Sequence, residues 1–231
     1  MSKIKWLLKQ TDRYFWGMVV GVTLQIIAFF TIGNLSSDAA VVWCEFDNSI
    51  PIIPIFVIPY LLWFPYIAAG LLTFWYGHKK SRADHGEFCR LMWLLGIGLL
   101  YCAIFYIVFP MRIPYGVRPD VADKTGLLAW LLRLTYNNNV ANNALPSEHC
   151  YVSMMLCWGF LRMPYLKKSR HRFWVYPASI LLTLSIIGAT VFIKQHSILD
   201  FFAAIALFAA VLAIVYLLPW GKKGEADETA D

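Results

Sequence analysis

Six apolar runs of about twenty residues each constrain this chain more than any other feature. They cover roughly Tyr14–Gly33, Ile50–Tyr76, Phe88–Phe109, Ser147–Met163, Phe173–Ile193 and Ile198–Trp220. A helix crosses the hydrocarbon core of a bilayer in about twenty residues. Of the 231 residues, 59% are apolar and 15% charged, against about 45–50% and about 25% in a soluble domain. That excess excludes a soluble enzyme, a disordered chain and a disulfide-stapled secreted domain. The expected fold is all-α: one polytopic membrane domain over residues 1–223 with six transmembrane helices. The acidic stretch 224–231 (GEADETAD) reads as a disordered tail.

Two of the runs are unusual. The second carries Pro51, Pro54, Pro59 and Pro65, so a kinked or partly interfacial segment is expected there. The fourth is short and opens with Ser147, Glu148, His149 and Ser153, and polar groups at membrane depth mark a functional site. The first run exceeds the 7–15 residues typical of a signal-peptide core, so it reads as a retained helix.

Lysine and arginine set the orientation. Fifteen lie on one side: Lys3, Lys5, Lys9, Arg13, Lys79, Lys80, Arg82, Arg90, Arg162, Lys167, Lys168, Arg170, Arg172, Lys222 and Lys223. Five lie on the other: Arg112, Arg118, Lys124, Arg133 and Lys194. Both termini are therefore expected in the cytoplasm, with the loops at 34–49, 110–146 and 194–197 facing outward from a plasma or inner membrane. Asn34-Leu35-Ser36 is a glycosylation sequon on that outward side. The net charge of +6 resides in short loops without interleaved exposed aromatics, which argues against a nucleic-acid partner. The five cysteines are irregularly spaced with no CxxC, and read as packing residues.

The unusual polar residues fall on the outward side. Arg112 and Arg118 follow the third run, Ser147, Glu148 and His149 open the fourth, and Lys194, His196 and Asp200 join the fifth to the sixth. His196 and Asp200 are four apart and share a helix face, where a carboxylate fixes an imidazole's tautomer. The plain alternative is an inert interfacial ion pair. The Pro146–Ser147 step makes Ser147 an N-cap, and the helix start behind it is suited to an anion. The plain alternative is a simple cap with a satisfied histidine. Arginine is suited to bidentate contact with phosphate oxygens, although Arg112 and Arg118 would equally meet anionic headgroups. Together the parts describe phosphoryl transfer. No glycine-rich phosphate loop or dense carboxylate set suggests magnesium, so the expectation is a reaction without metal or cofactor.

On these residues the sequence resembles the type 2 phosphatidic acid phosphatase superfamily, six-helix lipid phosphatases related in fold to vanadium haloperoxidases. The family pattern is Lys-x6-Arg-Pro, then Pro-Ser-Gly-His, then Ser-Arg-x5-His-x3-Asp. Arg118-Pro119, Pro146-Ser147-Glu148-His149 and His196-x3-Asp200 match it in order, within about residues 90–220. The resemblance implies that His196 is the nucleophile, Asp200 its orienting partner and His149 the acid, then the base. It implies that Arg118, Ser147 and the first amides of the fourth run hold the phosphate of a phosphorylated lipid.

The departures are specific. The family lysine falls at Met111, and Arg112 beside it is the candidate replacement. The Ser-Arg of the third block falls at Ala189-Thr190, and Lys194 is the candidate for that charge. Glu148 stands in place of glycine, which puts a carboxylate beside an anion site. Two charge-assisted hydrogen bonds lost without compensation would cost roughly 3–6 kcal/mol, or about 10²–10⁴ in rate. The same core without the third-block arginine also resembles the superfamily's sphingolipid headgroup transferases, which pass the phosphoryl group to an alcohol. The remaining alternatives are a non-enzymatic lipid-binding or scramblase-like protein, a transporter with charges at mid-bilayer, and a zinc hydrolase using His149, His196 and Asp200.

Overall fold

The computed structural model describes residues 13–32, 39–121, 123–137 and 143–217. The sequon and the acidic tail lie outside them. The described chain is mostly helical. Helix α1 is Arg13–Ile32, and strand β1 (Ala40–Val41) and the short helix α2 (Glu45–Ser49) follow it. The proline-rich second run is broken, as four prolines dictate: a 3₁₀ turn at Pro54–Phe56, α3 (Val57–Leu61) and α4 (Trp63–His78). Then come α5 (Arg82–Val108), β2 (Met111–Arg112), α6 (Leu127–Asn137), α7 (Glu148–Arg162) and α8 (Pro164–Lys168). The chain ends in α9 (Arg172–Phe192) and α10 (Ile198–Leu217).

Four helical stretches are long and apolar enough to cross a membrane: Pro54–His78, Arg82–Val108, Arg172–Phe192 and Ile198–Leu217. Their outward faces stay apolar. Leu100, Ile104 and Ile107 on α5, Leu181 and Leu184 on α9 and Phe202 on α10 are all exposed. Contiguous apolar surface of that extent is costly in water and ordinary in lipid.

The fourth run differs from the other long ones. Helix α7 has 15 residues and is the hub of the bundle, packed against α4, α5, α9 and α10. Its neighbours rather than lipid cover it, which is why it tolerates Glu148, His149 and Ser153, all buried. Two glycines permit the close approach. A Cβ on Gly98 of α5 would stand 2.0 Å from the Tyr151 ring, and one on Gly159 would stand 2.4 Å from Phe74 of α4. Tyr151 fills the Gly98 notch and donates to Leu94 O at 2.5 Å, so its buried hydroxyl is satisfied.

At one end of the bundle three distant stretches are stitched together. β1 and β2 pair in parallel, Ala40 opposite Met111 and Val41 opposite Arg112. Ala144 N then donates to Met111 O at 2.9 Å, which brings in the segment leading to α7. The sequence shows no periodic signal for so short a sheet, and α6 lies within a stretch that reads as loop.

Candidate active site

The C-terminus of α9 and the N-terminus of α10 are joined by a tight turn. The carbonyl of Thr190 accepts from both Gln195 N (2.9 Å) and His196 N (3.0 Å). Lys194 takes a left-handed conformation (φ 54°), which disfavours any side chain bearing a Cβ. Its ammonium offsets part of that strain by donating to Asp47 O at 2.6 Å and Ile50 O at 2.7 Å. Burial pulls the Lys194 pKa down, against the opposing pull of Asp47. Asp47 braces the same turn. Its Oδ2 accepts from Ser197 Oγ (2.6 Å) and its Oδ1 from Ile198 N (2.8 Å), so it serves as a cap for α10.

His196 is held on one edge. Its Nδ1 lies 3.0 Å from Asp200 Oδ2 and 2.9 Å from Ala144 O. Both partners are acceptors, so Nδ1 carries the proton and Nε2 keeps its lone pair in the neutral ring. Asp200 is fully buried, and its Oδ2 also accepts from Ser197 N at 3.0 Å. His149 lies across from His196, with ring centroids 5.7 Å apart. Its ring packs against those of Tyr60 (4.5 Å) and Trp63 (4.2 Å), both from the broken second run.

The two histidines face a small pocket, with a cavity volume of about 20 Å³. Phe29, Tyr60, Tyr106, Ile113, Asn143, Ala144, Glu148 and Gln195 complete its wall. Among these lining residues none is lysine or arginine. Glu148 is buried and its Oε1 accepts from Gln25 Nε2 at 2.8 Å, so α1 also reaches this end of the bundle.

The structure thus sets His196, His149 and Glu148 in the pocket wall, keeps Asp200 and Ser147 fully buried and out of the lining, with Ser147 N donating to Asp200 O at 3.4 Å, and treats the expected cations differently. Ser147 is the N-cap of α7, its Oγ accepting from Cys150 N at 3.4 Å. Arg118 lies behind the turn, donating to Lys194 O (3.2 Å) and to Gln195 Oε1 (3.4 Å). Burial lowers its pKa, with Tyr60 and Tyr136 pulling the other way. Neither Arg112 nor Lys194 lines the pocket. Neighbours along an extended chain alternate sides, so Arg112 turns away from the face that Ile113 presents. Its guanidinium stacks on Tyr115 at 3.9 Å. Thr190, where the resemblance would place an arginine, is fully buried beside Cys150, its Oγ1 3.9 Å from Cys150 Sγ.

Sequence reasoning missed Asn143, Gln195, Gln25 and Asp47. Gln195 adjoins His196 and Asn143 nearly adjoins the Pro-Ser step, but nothing in their residue types marks them. Gln25 and Asp47 arrive from segments that carry no motif. Among the described residues, no group of three His, Cys, Asp or Glu side chains is placed to hold a metal ion. Compared with family models, with curated proteins and with solved structures, the chain matches none of them.

Proposed function

We propose that this protein transfers the phosphoryl group of a membrane lipid phosphate through a phospho-histidine on His196. One observation carries the reading: His196 Nδ1 is engaged by both Asp200 and Ala144 O, which leaves Nε2 as the nucleophilic nitrogen. Nε2 attacks phosphorus, the bond from phosphorus to the lipid oxygen breaks, and His149 supplies the proton that oxygen needs. His149 then takes a proton from water, the water oxygen bonds to phosphorus, and the N–P bond breaks to release phosphate. Asp200 stabilises the positive charge that the His196 ring carries between these steps.

The proposed setting is a six-span bundle with both termini in the cytoplasm and the site at the outward boundary. Four helices long enough to cross support it, as does the order of the chain. Lys79, Lys80, Arg82, Arg162, Lys167 and Lys168 sit at the ends of α4, α5, α7 and α8 remote from His196. A second reading, transfer of a lipid headgroup phosphate to an alcohol, draws on the absence of lysine and arginine among the described lining residues and on Glu148. Both favour a phosphate with one charge and a cationic substituent over a doubly charged monoester.

The test is phosphate release by purified protein in detergent with EDTA, across a panel of lipid phosphates, beside His196→Ala. Release by wild type alone is expected. Equal release by the variant, or activity that EDTA removes and zinc restores, would sink the histidine mechanism. Release by neither, with a new lipid product when a lipid alcohol is added, would select the transferase.

A further inference from the structure

The pocket lacks the two cationic side chains that the resemblance leads one to expect, yet it is not without donors. Asn143 and Gln195 both line it, and both are buried, at 5% and 3% exposure. The side-chain nitrogens Asn143 Nδ2 and Gln195 Nε2 have no hydrogen-bond partner among the described residues. Buried amide donors are nearly always paired, so two unpaired ones in a single pocket wall are free to donate to a bound acceptor. The orientation of Gln195 is set from behind: Arg118 donates to its Oε1, so the NH₂ group is turned to the other side. Asn143 is held by the strand stitch, bridging to Met111 while Ala144 after it pairs with Met111 O. Ala144 in turn holds His196 Nδ1 through its carbonyl. The two amides therefore ride on the same backbone segments that fix the nucleophile.

On the phosphoryl-transfer reading, which this rests on, we infer that Asn143 and Gln195 donate to the non-bridging oxygens of the bound phosphate. They take the place of the family's lysine and arginine. Two neutral donors satisfy phosphate oxygens without adding positive charge, which matches a pocket wall that holds Glu148 and, among the described residues, no lysine or arginine. Arg118 acts one step back, polarising the Gln195 amide through its oxygen.

Direct binding tests this without requiring turnover. The full chain in detergent would be titrated calorimetrically in two arms, one with inorganic phosphate and one with phosphatidate in mixed micelles. Asn143→Ala and Gln195→Ala are each expected to weaken binding about tenfold in both arms. Asn143→Asp and Gln195→Glu keep the side-chain shape but set a carboxylate against the phosphate, so their binding should fall further. Wild-type affinity in either alanine variant, in a protein that elutes and melts as wild type does, would overturn the inference, as would absence of binding by wild type. Weakening confined to inorganic phosphate would make free phosphate the ligand and overturn the lipid role. If wild type binds as described but neither it nor His196→Ala turns over any lipid, the catalytic reading has failed and the amide site stands.

Discussion

Asp47 Oδ2 lies 2.6 Å from Ser197 Oγ, a bond between a residue ahead of the second apolar run and the residue after His196. Through it, a segment without any motif positions the turn that holds the proposed nucleophile.

That carboxylate makes the turn sensitive to acid. Burial raises the Asp47 pKa, but hydrogen bonds from Ser197, the Ile198 and Cys44 amides and the Cys44 thiol outweigh it, holding the group below its ordinary 3.8. A carboxyl with a lowered folded pKa stabilises above its unfolded value and ceases to as pH falls through the folded one. Thermal stability should therefore drop below about pH 4. Asp47→Asn should cost about 1–3 kcal/mol at neutral pH and flatten that acid limb. A variant melting curve with the wild-type pH dependence would show that Asp47 is not the group responsible.

Asp200 orients a proton as well as a ring. Asp200→Asn offers His196 Nδ1 an N–H as well as an oxygen, which favours the wrong tautomer. Turnover of a lipid phosphate should fall roughly 10³–10⁴-fold while the fold persists. Circular dichroism and acid-labile phosphate trapped on the protein separate the two effects, and near-wild-type turnover would remove Asp200 from the mechanism.

Glu148 should govern selection among substrates. Glu148→Gly removes a carboxylate from the pocket wall and is expected to shift preference toward doubly charged monoesters with little loss of stability. Gln25→Leu instead leaves Glu148 buried without its partner, at a cost of about 1–3 kcal/mol. Identical substrate profiles for wild type and Glu148→Gly across the lipid panel would end this idea.

The Gly98 notch holds α7 in place. Gly98→Val would drive a side chain into the Tyr151 ring, 2.0 Å from the position of its Cβ, and displace the hydroxyl from Leu94 O. Loss of about 1–3 kcal/mol or more is expected, with lowered activity, because α7 carries His149. Gly96→Ala, where a Cβ meets nothing within 4 Å, should be silent in the same melting assay.

Orientation has its own readout. Single cysteines introduced between residues 39 and 43 should react with an impermeant thiol reagent on intact cells. Labelling confined to permeabilised cells would invert the proposed topology.

Four of the six apolar runs were legible as helices long enough to cross a membrane, because such helices must hide every backbone polar group within themselves and so declare themselves locally. His196 and Asp200 were legible for a similar reason, since a four-residue spacing on a helix makes contact almost by itself. The capping role of Ser147 followed from the Pro-Ser step. Tertiary structure decided what local pattern cannot carry. It buried α7 among its neighbours, through glycine notches on α5 and on α7 itself. It drew Asp47 and Gln25 to the site across more than a hundred residues, and it turned Arg112 and Lys194 away from the pocket. A side chain's charge is written in the sequence, but its direction depends on strand alternation, on a left-handed turn and on the carbonyls within reach. Those are properties of the assembled chain, which is why two amides of no apparent distinction line the pocket where two cations were expected.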